Sequence, residues 1–277
     1  MKRLLNHTTL VSLIILFSFI ISACRTGRTS SGDDGNQTET LDKARVEQDV
    51  REFVYPLPTS FETTEMLNRI GASYILTLSN PVSNVERYLT EKSKAINLGI
   101  YSTDLSYAST YNQRQATIDY MNVSKRLIDA LNISGAVSPD IIDQIEANQD
   151  DKEKLVELIT NTFYNTYEYL NRAGRGSVSM LVLAGSWVEA LYIATHISED
   201  TYQNKEMVAI VMNQKSSLNK LLSLMEVVKD NPAIDEVMQQ LKPIQRVYNS
   251  IEDGAITQRQ LRQITDKVYV VRNQMVE

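Results

Sequence analysis

An all-α, multi-helix bundle is the fold class that this sequence predicts. From residue 41 onward, apolar residues recur with the spacing of amphipathic helices, and helix-capping residues recur between the apolar stretches. The chain has only 10 glycines and 6 prolines in 277 residues, whereas an all-β chain needs many tight turns. No convincing strand–turn–strand pattern is present in the sequence. We therefore expect residues 41–277 to form one domain in which helices pack on helices.

Ten helices are predicted along this domain, most of them bounded by a capping residue or by proline. Pro56 stops the first helix, Pro81 stops the second, and Pro139 and Pro232 each follow a capping residue at a first helical position. The third helix is expected to turn one face, with Val85, Leu89, Ile96 and Ile100, toward the core. The predicted ranges are 41–55, 61–78, 84–109, 113–132, 139–148, 151–172, 178–198, 201–229, 232–251 and 257–277.

The first 24 residues have the three zones of an export signal. Lys2 and Arg3 give a positive start, residues 10–21 are almost wholly apolar, and small residues precede Cys24. This apolar run is shorter than the ~20 residues that a membrane-spanning helix needs. The run Ile-Ser-Ala-Cys at 21–24 resembles the lipobox of bacterial lipoproteins. That resemblance implies that residues 1–23 are a signal peptide and that Cys24 is the lipid-bearing first residue, which anchors the protein to a membrane.

Residues 24–40 are expected to be a flexible tether between the lipid and the folded domain. After Cys24 the stretch has no large apolar side chain, so it cannot bury enough surface to offset the entropy lost on ordering. Asp33 and Asp34 resemble the acidic patches that send some lipoproteins to the outer face of the outer membrane, although a plain solvated linker has the same composition. We expect the protein to lie at the outer membrane of a Gram-negative envelope and to face the periplasm or the cell surface.

Composition excludes several kinds of site. Cys24 is the only cysteine, so neither an intramolecular disulfide nor a thiolate metal cluster can form, and His196 is the only histidine after residue 23. Loss of residues 1–23 leaves 26 basic against 34 acidic residues, a net charge of −8 that makes nucleic acid an improbable partner. Standard nucleophile, phosphate-loop, dinucleotide and HExxH motifs are missing. We therefore predict no cofactor and lean away from an enzyme.

An internal repeat is a further hypothesis. The pattern Gly99-x-Tyr101-x3-Leu105-x2-Ala108 is matched 86 residues later by Gly185-x-Trp187-x3-Leu191-x2-Ala194, with tryptophan in place of tyrosine. Residues 111–131 then align without gaps on residues 202–222, and a proline opens the next helix in both halves. These matches suggest two four-helix units, at about 84–172 and 178–276, with two N-terminal helices packed on them. Chance similarity between apolar helices is the competing explanation.

The most distinctive candidate site residue is Glu189. It lies at the middle of helix 178–198, which is apolar almost all round and is therefore expected at the centre of the bundle. A buried carboxylate needs a partner, and Tyr192 and His196 follow on the same face, while Asp104 is a parallel case in the first unit. These four residues could line a ligand pocket. Alternatively, tyrosine hydroxyls and helix N-termini satisfy the two acids, and His196 complements a helix C-terminus.

A metal site is a weaker hypothesis at the end of the same helix. His196 and Glu199 have the i, i+3 spacing of helical metal ligands, and the pair resembles the HxxE element of imelysin-type iron-regulated proteins. The other motifs of that family are not found in this sequence.

Three stretches carry a broader resemblance that covers most of the chain after the tether. Residues 56–58, 97–107 and 184–192 resemble a family of uncharacterised helical lipoproteins from Gram-negative bacteria. The resemblance implies a fold and a location but no activity. The expected function is therefore that of a membrane-anchored envelope lipoprotein that binds a protein or small-molecule partner without catalysis. The alternative is a metal- or ligand-dependent protein whose site includes Glu189 and His196.

Overall fold

The computed structural model describes residues 60–252 and 254–277, and within them it contains nine α-helices, three short 3-10 helices and no strand. The prediction of an all-α multi-helix bundle is confirmed. The α-helices are α1 (Ser60–Arg69), α2 (Glu91–Thr110), α3 (Arg114–Ala130), α4 (Ile141–Ala147), α5 (Lys152–Arg172), α6 (Gly176–His196), α7 (Lys205–Val227), α8 (Pro232–Asn249) and α9 (Gln258–Val276). The predicted signal peptide, tether and helix 41–55 lie outside the described residues.

Helices α2 and α6 form the centre of the bundle. Almost every residue of α6 is buried, including Trp187, as the uniform apolarity of this stretch predicts. Among the described residues, α6 is the one helix whose length and apolarity would suffice to cross a membrane, and it is enclosed by the other helices. Helix α1 packs across both α2 and α6.

Two glycines allow α2 and α6 to approach until their backbones touch. A Cβ atom added to Gly99 would lie 2.0 Å from the carbonyl oxygen of Val182, and one added to Gly185 would lie 2.0 Å from that of Ile96. Both contacts are backbone, so the helices would have to move apart to accept any side chain. The two contacts are equivalent in the predicted repeat. Its 86-residue offset relates Gly99 to Gly185 and Ile96 to Val182, so each glycine faces the same position of the other helix.

The helices on either side of this crossing also follow one order of packing. In each half, the first helix contacts the second and the fourth, the second contacts the third, and the third contacts the fourth. The four helices are α2, α3, α4 and α5 in the first half and α6, α7, α8 and α9 in the second. The predicted units 84–172 and 178–276 therefore correspond to two similarly connected groups of four helices. A common origin for the two halves stays a prediction.

The predicted helix boundaries are wrong between residues 70 and 90. The second predicted helix ends at Arg69 rather than near residue 78, because Gly71 has a φ of +81° that closes the helix. The third begins at Glu91 rather than near residue 84, since Thr90 and Ser93 form a capping box. Leu89, expected on the buried face, is 79% exposed.

We call residues 70–90 the connecting segment. It holds two 3-10 helices, Leu76–Leu78 and Val82–Arg87, in place of α-helix. Its length exceeds that of most connections in helical bundles, and long connections of this kind are often functional.

The capping predictions in the second half of the chain agree more closely with the structure. Asp151, Asn231 and Thr257 each cap a helix by accepting a hydrogen bond from a backbone N–H. Asn231 is the predicted capping residue before Pro232, and the other two lie at the predicted helix starts. Ser138 does not cap α4, which starts two residues later than expected after Asp140. The cap of α7 is Asn204, so this helix also starts later than predicted.

Candidate functional site

The α2–α6 crossing brings the two predicted site carboxyls together in the interior. Asp104 and Glu189 are both fully buried, and they lie close enough for the charge of Glu189 to raise the pKa of Asp104. The crossing is also bridged by Thr103, whose hydroxyl lies 3.0 Å from the hydroxyl of Ser186. The two acids thus lie in one buried cluster, and their membership of a ligand site stays a prediction.

Glu189 forms a buried ion pair with Arg272, a residue of α9 that the sequence analysis did not select. The guanidinium donates to both carboxylate oxygens, with Nε–Oε2 and Nη2–Oε1 distances of 3.0 and 3.1 Å. Nη2 also lies 3.2 Å from the carbonyl oxygen of Leu78 in the connecting segment. Such paired bonds fix the geometry of both groups. The alternative expectation, that tyrosine hydroxyls and helix N-termini would satisfy Glu189, is therefore wrong in its choice of partner.

Asp104 has a different environment from Glu189. Its Oδ2 accepts a hydrogen bond of 3.0 Å from the backbone N–H of Asn80, whereas its Oδ1 has no hydrogen-bond donor among the described residues. Burial raises the pKa of Asp104 well above its usual value, and the negative charge of Glu189 raises it further, against the lowering effect of Arg272. Burial also raises the pKa of Glu189, but the nearby Arg272 guanidinium opposes this effect.

A polar network links these charges to the connecting segment and to the end of α9. Asn80 donates through Nδ2 to the hydroxyl of Tyr88, at 2.9 Å, and to Oδ1 of Asn97, at 3.3 Å. Asn97 in turn donates to the carbonyl oxygen of Met275, at 2.8 Å. The Tyr88 hydroxyl donates to the carbonyl oxygen of Val276, at 3.3 Å. Buried polar groups of the connecting segment, α2 and α9 thus satisfy one another.

Tyr192 and His196, the other predicted site residues, lie in a stack of rings that leads from the ion pair toward the surface. The guanidinium carbon of Arg272 is 4.7 Å from the ring centre of Tyr192. The ring centres of Tyr192 and His196 are 4.2 Å apart, and the ring centres of His196 and Tyr269 are 6.0 Å apart. Tyr269 is 49% exposed. Burial is the main cause that lowers the pKa of His196, partly opposed by the hydrogen bond from its Nδ1 to the Tyr192 carbonyl, so the ring is neutral at pH 7.

The structure does not place His196 and Glu199 as helical neighbours. Helix α6 ends at His196, and Glu199 lies in an exposed turn. The i, i+3 helical geometry on which the metal hypothesis depended is therefore missing. Within the described part of the chain, no group of three or more His, Cys, Asp and Glu side chains is arranged to hold a metal ion.

Two depressions outside this cluster have their own linings. A small pocket of about 40 Å³ lies between α2, α3 and α5 and is lined by apolar and hydroxyl side chains that include Ser102, Ser106 and Ser124. A wide groove of about 880 Å³ lies between α8 and α9. Neither depression is lined by Asp104 or Glu189.

Arg272 could have been found from the sequence. The apolar stripe of α9 runs through Leu261, Ile264, Val268 and Met275, and Arg272 follows Val268 by four residues and precedes Met275 by three. A charged residue at such a position faces the core and needs a buried partner of opposite charge. The role of Asn80 has no comparable signal, because it acts through its backbone N–H in an irregular segment.

Comparison with known proteins gives no match: no family model, no curated protein and no solved structure is significantly similar to this chain.

Proposed function

We propose that this chain is a lipid-anchored envelope protein whose helical domain binds a partner protein without catalysis. The anchor is inferred from the signal-like first 23 residues and from Cys24. The observation that carries the binding function is the α8–α9 groove, a wide concave surface that lies apart from the buried charges. A structural role for the two carboxyls is supported by the complete burial of Asp104 and Glu189 and by the ion pair between Glu189 and Arg272.

The lining of the groove indicates the kind of partner. It contains three acidic residues, Asp235, Glu236 and Asp266, against one lysine, Lys267. Glu236 forms an ion pair with Lys92, so Asp235 and Asp266 against Lys267 leave a net charge of −1 in the groove. Its apolar surface includes Val270, which is 52% exposed. A protein segment with basic residues beside apolar ones would complement both the charge and the exposed apolar surface. We therefore propose a partner protein with such a segment.

Site-specific photo-crosslinking in the intact envelope tests this proposal. A photoreactive amino acid at Val270 is compared with one at Val227, an exposed valine of α7 that is outside the groove and has a similar exposed fraction, 56%. We expect a discrete adduct only from position 270, and we expect it to lie in a basic segment of the partner. The adduct should be weaker when Asp266→Lys reverses a charge in the groove. Equal adducts from both positions, or none from position 270, would refute the proposal.

A second candidate is a small-ligand-binding protein whose site includes Glu189 and His196. It is favoured by the ring stack, because Tyr269 is exposed at one end and Arg272 and Glu189 lie at the other. A thermal-shift screen with metal ions and metabolites, run on wild type and on Glu189→Gln, tests it. A compound that stabilises only the wild type would support this candidate. A screen in which no compound shifts the wild type, while the variant melts at lower temperature, would leave Glu189 with a structural role.

A further inference from the structure

The buried charges do not balance if both acids are ionised. Asp104 and Glu189 face one cation, Arg272. The carboxylate charges raise the pKa of several nearby tyrosines, which are therefore neutral over the ordinary pH range. These are Tyr74 of the connecting segment, Tyr101 and Tyr107 of α2, Tyr120 of α3 and Tyr192 of α6. Tyr88, beside the same pair, is likewise neutral. Two adjacent carboxylates with one counter-charge, all removed from water, would leave a net buried negative charge, which is strongly unfavourable.

The hydrogen-bond geometry identifies where a proton would reside. Both oxygens of Glu189 accept bonds from Arg272, so Glu189 is the better stabilised anion. Asp104 has one oxygen bound to the N–H of Asn80, whereas its second oxygen, Oδ1, has no partner with hydrogen-bond geometry among the described residues. The Ser79 hydroxyl lies near this carboxyl and is likewise unpaired. A proton on Oδ1 turns this oxygen into a donor that can bond the neighbouring Glu189 carboxylate.

The same acids hold the connecting segment in place. The N–H of Asn80 is bound to Asp104, and the carbonyl of Leu78 is bound to the guanidinium that Glu189 positions. Two further bonds fix this segment to α2: the N–H of Ile75 donates to the Tyr107 hydroxyl at 2.8 Å, and the Tyr101 hydroxyl donates to the carbonyl of Pro81 at 2.9 Å. Repulsion between the two acids would therefore act directly on the attachment of residues 78–80.

We propose that Asp104 and Glu189 bind one proton between them, and that this proton keeps the connecting segment closed over the buried charges. Loss of the proton leaves two adjacent carboxylates that share one guanidinium. The segment then opens, water reaches the acids, and their repulsion is relieved. The inference does not depend on the proposed partner groove, whose lining includes none of Asp104, Glu189 and Arg272.

The direction of the pH dependence follows from proton counting. An aspartate in the unfolded chain loses its proton near pH 4, so above this pH the folded state holds one proton more than the unfolded state. Stability must then fall as pH rises, with a change of about tenfold in the unfolding equilibrium constant per pH unit until the folded state also loses the proton. His196 acts in the opposite direction below its unfolded pKa, so the comparison requires variants rather than a wild-type profile alone.

Replacement of Asp104 by asparagine provides the test, because the amide reproduces the protonated acid. Its oxygen can accept the N–H of Asn80, and its NH2 group can donate to Glu189. We expect Asp104→Asn to gain stability relative to wild type as pH rises above about 4, until the folded wild type also loses the proton. Asp200→Asn, the same change at an exposed turn residue, should follow wild type throughout.

Two local measurements separate the proposal from a general change in stability. The infrared carbonyl band of a protonated carboxylic acid should be present in the folded wild type at pH 7 and absent from Asp104→Asn. In wild type, hydrogen exchange at the N–H of Asn80 should accelerate with pH beyond the intrinsic rate, and in Asp104→Asn it should not. Parallel stability profiles for wild type and Asp104→Asn, or the absence of the acid band in wild type, would overturn the proposal.

Discussion

Removal of the Arg272 guanidinium is the most informative perturbation of this fold. Arg272→Met keeps most of the apolar stem but deletes the bonds to Glu189, at 3.0 and 3.1 Å, and the bond to the Leu78 carbonyl, at 3.2 Å. Glu189 is then a buried carboxylate with no cation beside it. Loss of one partner of a buried ion pair costs about 3–5 kcal/mol, so we expect the free energy of unfolding at pH 7 to fall by this amount.

Urea unfolding, followed by circular dichroism, measures this loss, and Arg126→Met is the matched control. Arg126 pairs with Glu86 at 2.7 Å, but the two side chains are 55% and 71% exposed, so its loss should cost only about 0–1 kcal/mol. The deficit of Arg272→Met should also shrink as pH falls, because Glu189 can then take up a proton. A cost for Arg272→Met no larger than that for Arg126→Met would refute the assignment of Arg272 as the essential counter-charge.

Three further predictions concern the helix crossing, the anchor and the histidine. Gly99→Ala should lower the free energy of unfolding by about 3 kcal/mol or more, since its Cβ would overlap a carbonyl of α6, whereas Gly176→Ala, with its nearest atom at 3.7 Å, should change it by less than about 1 kcal/mol. Cys24→Ser should abolish labelling by a radioactive fatty acid and release the protein from the membrane fraction, and unchanged labelling would contradict the lipobox interpretation. The lowered pKa of His196 means that the unfolded state binds the additional proton below about pH 6.5, so stability is lost as pH falls through this range. His196→Phe should remove that loss, and urea midpoints at pH 5.0 and 7.5 for variant and wild type would show whether it does.

The sequence predicted most of the fold because helical periodicity and capping are local properties. The cap before Pro232 was identified from its immediate neighbours, and the helix starts predicted at residues 151 and 257 lie within one residue of the observed ones. Helix α6 was assigned to the interior from its composition alone. The errors between residues 70 and 90 have a different cause. Apolar spacing continues through this stretch, but Gly71 and the Thr90 capping box interrupt the helix there.

The candidate site was predictable only in part for a related reason. Burial of Glu189 followed from the apolarity of its own helix, and the internal alignment of α2 with α6 identified Asp104 as a parallel case. Its partner, Arg272, is 83 residues away in sequence, so no local pattern connects the two. The contribution of Asn80 depends on backbone geometry that only the folded chain defines.

The network at the end of α9 has a consequence for how the protein reaches its folded state. Asn97, Tyr88 and Leu78 are bonded to residues 178, 188 and 194 positions later in the chain. Until residue 276 has been synthesised, the early helices lack these partners, and such distant contacts form late because their loop-closure entropy is large. The first half of the chain therefore completes its polar network only after its last helix has been made.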